Sequence, residues 1–261
     1  MAALVAAGIF SVSTLTGQAF TPQSWQFGSD EGRDGDGGFP LLAVASSAEG
    51  NVAQWSLTAD AIRLTASDVY NDFSALLPIT GLGGTSLQNF TITLEGTMVT
   101  IPGDSWAFRG GAVALGGGDL GSVYGTTDSY VASLHRIQTS TERRLRIATG
   151  PGGSALANVT PDSLSSGDAF TVRLAGTFDN GALTMVASTW YNNDMGTIWT
   201  AGPVTVQEPL DGNYFGIGGR ARAGLEVDFH SLAIVPEPST YALIGGVAVL
   251  GLVFVRRRFG R

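Results

Sequence analysis

The stretch AFTVRLAGTFDNGALTMVA, residues 169–187, consists of two alternating runs joined by a turn. Its alternating apolar residues are Phe170, Val172 and Leu174 before the turn, and Leu183, Met185 and Ala187 after it. Period two is the pattern of a β-strand with one buried face. The intervening Asp179-Asn180-Gly181 is a strong hairpin signal, because Asn and Gly tolerate positive φ. The stretch therefore predicts an antiparallel hairpin.

The same alternation recurs along most of the chain between residues 20 and 234. We expect further strands at residues 52–57, 61–66, 90–95, 106–115, 129–137, 144–148, 214–218 and 225–229. Glycine occupies 37 positions and charged residues make up only 14% of the chain, which suits a loop-rich β-domain better than a helical one. The pattern predicts an all-β fold of about ten to fourteen short strands in two packed antiparallel sheets.

The order of these segments resembles the concanavalin A-like lectin/glucanase superfamily. The residues that carry the resemblance are 90–94, 169–174 with the turn at 179–181, and 214–218 leading into 225–229. The resemblance implies an antiparallel jelly-roll β-sandwich over residues 20–234. It would permit sugar binding or glycoside hydrolysis, and establishes neither.

Charge and cysteine content exclude several classes of function. The chain has 14 basic residues, all arginine, against 22 acidic ones, and its net charge is −8. An acidic body argues against nucleic-acid binding, because phosphates require a cationic surface. Cysteine is absent, which excludes disulfides, thiolate metal sites and cysteine nucleophiles.

The N-terminus, residues 1–19, has the features of a secretory signal peptide. Residues 2–10 carry no polar side chain, and Gly17-Gln18-Ala19 places small residues where signal peptidase requires them. The first charged residue is Asp30, so the usual basic segment is missing. We expect the natural translation start to lie further upstream.

The C-terminus combines three elements in order. Pro236, Glu237 and Pro238 are followed by an uncharged apolar run at 241–255, and then by Arg256, Arg257 and Arg258. Fifteen residues span about 22 Å as a helix, which is short for a stable membrane crossing. The positive-inside rule keeps the arginines cytoplasmic and the body outside.

These three elements, within residues 235–261, resemble the PEP-CTERM sorting signal. The resemblance implies recognition of the Pro236–Pro238 tripeptide by an exosortase-type processing enzyme, with the arginine cluster as the membrane stop. It further implies a protein exported to the cell surface or extracellular matrix of a Gram-negative bacterium, with a transient helical anchor in the inner membrane. The alternative is an ordinary C-terminal membrane anchor.

Acidic residues on the last predicted strand are the first candidate for chemistry. Glu226, Asp228 and His230 should project from one face, roughly 7 Å apart. Glucanases of the superfamily carry Glu-x-Asp-x-x-Glu here, whereas this chain has Ser231 at the last glutamate position. Glycoside hydrolysis needs two carboxyl groups flanking the bond. We therefore predict no enzymatic activity and interpret the acids as a solvated strand face.

An acid-rich, glycine-rich segment is the second candidate. Asp30, Asp34 and Asp36 could offer oxygen ligands to Ca²⁺, although the twelve-residue EF-hand spacing is absent. Such a segment is also typical of a solvated linker.

The third candidate is an aromatic and amide cluster. It comprises Trp190, Tyr191, Asn192 and Trp199. Aromatic faces can stack on sugar rings while amides bind the hydroxyls, although aromatic residues at strand ends more often fill the core.

Three hypotheses follow from these observations. The leading one is a non-catalytic exported protein whose sandwich serves adhesion, scaffolding or contact with exopolysaccharide. The alternatives are a carbohydrate-active hydrolase and a dedicated carbohydrate-binding module.

Overall fold

A computed structural model describes residues 23–27, 54–67, 71–78, 89–102, 108–116, 129–136, 143–149, 154–179, 181–207 and 212–236. The regular secondary structure of these residues consists entirely of β-strands. The predicted signal peptide, the acid-rich segment and the tail from Glu237 onward lie outside the described residues.

The described residues form fourteen strands. In chain order they are β1 (Gln23–Gln26), β2 (Gln54–Leu57), β3 (Ile62–Thr65), β4 (Asn71–Pro78), β5 (Phe90–Thr100), β6 (Phe108–Gly116), β7 (Ser129–Arg136), β8 (Arg143–Thr149), β9 (Ala155–Val159), β10 (Ala169–Asp179), β11 (Ala182–Tyr191), β12 (Trp199–Val206), β13 (Gly212–Ala221) and β14 (Glu226–Pro236).

These strands build two antiparallel sheets. The eight-stranded sheet has the order β12-β11-β10-β5-β14-β3-β2, and β1 also pairs with β14. The six-stranded sheet has the order β4-β13-β6-β7-β8-β9. The last strand thus occupies the middle of the larger sheet, between β5 on one side and β3 and β1 on the other. The predicted all-β sandwich is confirmed.

The core lies between the two sheets and follows the predicted alternation. Phe90, Ile92 and Leu94 of β5 point inward from the larger sheet, and the inward side chains of the smaller sheet include Leu145 and Ile147 of β8. The intervening positions of β5 point outward. This outward face of the larger sheet carries the polar residues described below.

The hairpin at β10–β11 forms as expected. Asp179 and Ala182 are paired, which leaves a two-residue connection between the strands. Gly181 has a φ of +81°, a conformation that favours glycine. The Asn-Gly signal therefore predicted the position of this hairpin.

Several elements differ from the sequence-based expectation. Strands β1, β4, β9 and β12 were not predicted: β1 has only four residues, the edge strand β9 is largely exposed, and β12 contains Gly202-Pro203. The alternation of β8 also predicts a solvent-facing Arg146. That prediction is wrong, because Arg146 is buried and its Nε donates to Ser133 Oγ at 3.4 Å.

Candidate functional site

The outward face of the eight-stranded sheet carries a row of side chains in direct register across five strands. The row, called the Trp190 row here, runs from Trp190 through Thr171, Glu95 and Ser231 to Gln26. Residues in register on neighbouring strands lie close enough to interact across the ladder. The row therefore forms one continuous band across the middle of the sheet.

Two members of the row are fixed by a hydrogen bond. Ser231 Oγ donates to Glu95 Oε2 at 2.6 Å, and Ser231 itself is buried. Glu95 remains exposed, whereas Trp190 is half-buried. At about 4.8 Å per strand, the backbones that carry the indole and the carboxylate are about 10 Å apart. The row thus presents an aromatic surface and an oriented acceptor at the spacing of a sugar residue or two.

A second row runs beside the first and adds a positive charge. Arg173 is exposed and pairs with Ser188 on one side and Thr93 on the other. Its Nη2 lies 3.5 Å from Thr91 Oγ1. The face therefore combines an aromatic ring, a carboxylate, a guanidinium and several hydroxyl groups.

The predicted aromatic cluster is divided between two sides of the sheet. Trp190 faces outward, whereas Tyr191 faces the core and is only 9% exposed. The Trp199 ring packs 4.9 Å from the Tyr191 ring and lies against the core. Neighbouring residues of a strand point to opposite faces, so Trp190 and Tyr191 cannot contact the same ligand surface.

Asn192 lies in the connection between β11 and β12 and holds it to the start of β10 by hydrogen bonds. Its Oδ1 accepts the N–H of Ala169 at 3.0 Å, and its Nδ2 donates to Asp168 Oδ1 at 3.1 Å. Its φ of 51° is in the left-handed region, which Asn tolerates. Of the four predicted sugar-contacting residues, Trp190 alone lies on the outward face of the sheet.

Tyr191 makes the stability of the protein depend on pH in the alkaline range. Burial raises the pKa of Tyr191, the nearby carboxylates of Asp162 and Asp168 raise it further, and Arg143 lowers it. An unfolded tyrosine ionises near pH 10, at about its ordinary pKa. Because the folded state holds this proton more tightly, the contribution to stability is complete below about pH 10 and is lost as pH rises further.

We expect Tyr191→Phe to make the loss of stability above about pH 10 shallower. The measurement is the urea unfolding midpoint of the purified protein as a function of pH. Thr205→Val, which removes an exposed hydroxyl from β12, should retain the wild-type slope. Identical slopes for wild type and Tyr191→Phe would contradict the assignment.

The acids of β14 are tied to neighbouring strands. Asp228 is 7% exposed and forms a bidentate ion pair with Arg63 of β3: Nε to Oδ1 and Nη2 to Oδ2 are both 2.7 Å. The hydrogen bond to Asp228 raises the pKa of Arg63, against the effect of desolvation. Glu226 Oε2 accepts a hydrogen bond from Thr100 Oγ1 at 2.7 Å.

A β-bulge at His230 changes the order of side chains along β14. The register shifts between Phe229 and Ser231, so Ser231 takes the next outward position in place of His230. His230 Nε2 lies 2.9 Å from Thr97 Oγ1, and Nδ1 lies 3.1 Å from the Asp60 carbonyl oxygen. Since that carbonyl can only accept, Nδ1 carries a proton.

Asp228→Asn should lower the free energy of unfolding by about 1–2 kcal/mol. The substitution removes the charge and turns one acceptor oxygen into an NH₂ group facing Arg63. Chemical denaturation measures the loss. Glu226→Gln is the matched control, since it keeps an acceptor for Thr100, and it should change stability by less than about 0.5 kcal/mol. Equal losses of unfolding free energy for the two variants would contradict a stabilising role for the ion pair.

Sequence reasoning missed three residues of this face. Arg63, Glu95 and Ser231 were not singled out, because each acquires its role only from a partner on another strand. Arg63 and Asp228 are 165 positions apart, and Glu95 and Ser231 are 136 apart. The sequence signal for Glu95 was its polar position in the alternation of β5.

Metal and membrane predictions fall largely outside the described residues. Asp30, Asp34 and Asp36 lie there, and the residues that the structure describes contain no group of three His, Cys, Asp or Glu side chains suited to hold a metal. Likewise, in the described part of the chain no helix has the length and apolar character needed to cross a membrane. The calcium site and the membrane helix stay predictions.

Solved structures similar to this fold include lectins and a galectin-like protein. The Bauhinia forficata lectin in complex with GalNAc has a TM-score of 0.50 at 13% identity, covering 82% of this chain and 97% of that one. Peanut lectin with a 9mer peptide has a TM-score of 0.48 at 15% identity, covering 84% and 100%. A Bacillus subtilis protein of unknown function with a galectin-like fold has a TM-score of 0.45 at 14% identity, covering 71% and 87%.

The described residues therefore have a lectin-like jelly-roll β-sandwich fold, as predicted. A comparison with curated proteins gives no match. The PEP-CTERM protein-sorting motif matches residues 235–258, so the chain carries this sorting signal from the last two residues of β14 onward. The motif implies an exported protein.

Proposed function

We propose that this chain is an exported, non-catalytic carbohydrate-contacting protein of the surface or extracellular matrix of a Gram-negative bacterium. An exosortase-type enzyme recognises Pro236, Glu237 and Pro238 and processes the tail, while Arg256, Arg257 and Arg258 stop it in the inner membrane. The observation that carries the proposal is the PEP-CTERM match at residues 235–258, immediately after a complete sandwich.

The Trp190 row supports contact with exopolysaccharide. An aromatic ring packs on the apolar face of a sugar, and the oriented Glu95 carboxylate accepts hydrogen bonds from hydroxyl groups. Arg173 and Ser188 on the adjacent row donate to ring and hydroxyl oxygens. A row of side chains that crosses five strands suits an extended polymer chain better than a small molecule, which binds in concave pockets.

The acids of β14 support a role without catalysis. A glycosidase needs one carboxyl as acid and a second as base or nucleophile, on opposite sides of the bond. Asp228 is held by Arg63, and Glu226 projects from the same strand and face as Asp228. This arrangement is that of a structural ion pair within a sheet.

Sorting is tested by deleting residues 237–261, which leaves β14 intact. We expect the truncated chain to move from the cell surface to the periplasm or medium, measured by immunoblotting of fractions. Replacing Glu237 by Gln in the full chain tests the tripeptide alone. A truncated chain found where the wild type is found would sink the sorting proposal.

Carbohydrate contact is tested with the bacterium's own exopolysaccharide in a pull-down assay. Trp190→Ala should reduce binding at least roughly tenfold, in line with the loss of an aromatic contact. Phe178→Ala is the control, because Phe178 is a partly exposed aromatic at the other end of the sheet. Equal binding by both variants, or release of reducing sugar ends by the wild type, would contradict the proposal.

We also propose that the acid-rich segment binds Ca²⁺. Asp30, Asp34 and Asp36 supply carboxylate oxygens, which are the ligands that Ca²⁺ prefers. Isothermal titration with CaCl₂ should show binding that is lost in Asp34→Asn combined with Asp36→Asn. Unchanged binding in that double variant would remove calcium from this segment.

A further inference from the structure

The alternation of inward and outward side chains in β14 continues to Val235. Ile234 is fully buried and paired on both sides, with Ile92 of β5 and Gln23 of β1. The next residue, Val235, is 44% exposed and pairs with Thr91 of β5. Among the described residues, the ladder with β1 stops at Ile234. Within the described ranges, the last two residues of β14 pair with β5 alone.

The sorting motif overlaps the end of β14. The match starts at residue 235, and the recognition tripeptide starts at Pro236, the last residue of β14. The first two residues of the motif are thus paired with β5. The sandwich and the sorting signal meet without a connecting linker.

Pulling more of β14 into an enzyme would disrupt the core. Proteolytic sites take their substrates as extended segments, so each residue taken must leave the sheet. A state in which the Ile234 side chain has left the core is populated roughly ten- to a hundredfold less than the fully paired sheet. If Leu232 leaves the core as well, the population falls by a further factor. Releasing Pro236 costs far less, because proline donates no ladder hydrogen bond.

The same end of the sheet receives the beginning of the chain. Gln23 starts β1 opposite Ile234, so the segment preceding β1 enters where the tail leaves. Six residues, 235–240, separate Ile234 from the apolar run, a reach of at most about 22 Å. The predicted apolar run therefore follows closely on this end of the sheet.

We propose that the processing enzyme acts on the folded sandwich at this end of the sheet, and that it accepts an extended peptide starting at Pro236. The sheet sets the boundary of the substrate: residues up to Val235 remain paired while the tail is processed. Two partly exposed apolar side chains, Phe178 and Val235, lie at this end and face the enzyme. The inference rests on the sorting function proposed above.

A cross-strand disulfide tests this boundary cleanly, since the chain has no cysteine of its own. Thr91 and Val235 are register partners, and Cα atoms of antiparallel partners lie about 4.5–5.5 Å apart, within the range of a disulfide. Thr91→Cys with Val235→Cys would oxidise in the periplasm and lock the end of β14 onto β5. Loss of the tail is measured by mass spectrometry of the intact chain during a chase.

We expect the locked chain to be processed at the same rate as either single-cysteine variant. A locked chain that accumulates unprocessed, and is processed once a reductant opens the disulfide, would overturn the proposal. Deleting Val235 draws the tripeptide into the sheet and should slow processing several-fold. Adding Gly-Ser-Gly-Ser before Pro236 in that deletion variant should restore the rate, and a deletion variant processed normally would equally overturn the boundary.

The wild-type chain separates this inference from the sorting function. If the wild-type tail is never removed, exosortase-type processing itself fails and the boundary fails with it. If the wild type is processed and the locked chain is not, sorting stands and the boundary alone is wrong. The proteins are expressed as full chains in a host that contains the processing enzyme.

Discussion

Replacing Phe229 by alanine should lower the free energy of unfolding by about 3–5 kcal/mol, the range for removing a large aromatic from a core. Phe229 is fully buried in β14, at the centre of the larger sheet. Its ring meets the Phe170 ring edge to face, with centroids 6.5 Å apart. The substitution loses the burial of the ring, leaves a cavity and removes this contact.

Urea denaturation of the purified protein, followed by tryptophan fluorescence, measures the loss. Val235→Ala is the control, since it removes methyl groups from a largely exposed position of the same strand and should cost less than about 0.5 kcal/mol. A loss below about 1 kcal/mol for Phe229→Ala would show that the two sheets do not pack on this ring.

Gly96→Val should cost about 3 kcal/mol, near the upper end of the range for overpacking. Gly96 faces inward on β5, and its register partners are Phe170 and Phe229. A Cβ at this position would lie 2.7 Å from the Asp228 carbonyl oxygen and 2.7 Å from Cζ of Phe170. The carbonyl belongs to the backbone of a neighbouring strand, so it cannot rotate away as a side chain could.

Thermal unfolding provides the measurement for Gly96→Val. Thr93→Val on the same strand is the control, because it introduces the same side chain at an outward position of similar shape. Wild-type stability in Gly96→Val would mean that β5 and β14 are further apart than the structure has them. Because Gly96 has no side chain, the two phenylalanine rings have room to pack against each other.

The strands with strict alternation were predictable from the sequence. The inward and outward faces of β5, β10 and β14 follow from period two alone, because each strand has one buried face. The same rule separates Trp190 from Tyr191, which are adjacent in β11 and must point to opposite faces. The aromatic cluster predicted from proximity in sequence therefore contradicts the alternation that predicted the strand.

The candidate site was predictable only in part. Trp190 could be named from its residue type, whereas the Glu95–Ser231 pair depends on the register between β5 and β14. That register includes the bulge at His230, for which the sequence carries no glycine or proline signal. The Arg63–Asp228 pair depends similarly on β3 packing beside β14. Long-range strand order is set by the packing of whole sheets, and no local pattern encodes it.

The central place of β14 has a consequence for the time at which the sandwich can form during synthesis. A ribosome makes this strand last, yet β5, β3 and β1 all pair with it. Before it emerges, the strands on its two sides have no common neighbour and the larger sheet stays open. Folding dominated by such distant pairings is slow. The larger sheet can therefore close only after β14 has been made, when the other thirteen strands have already been synthesised.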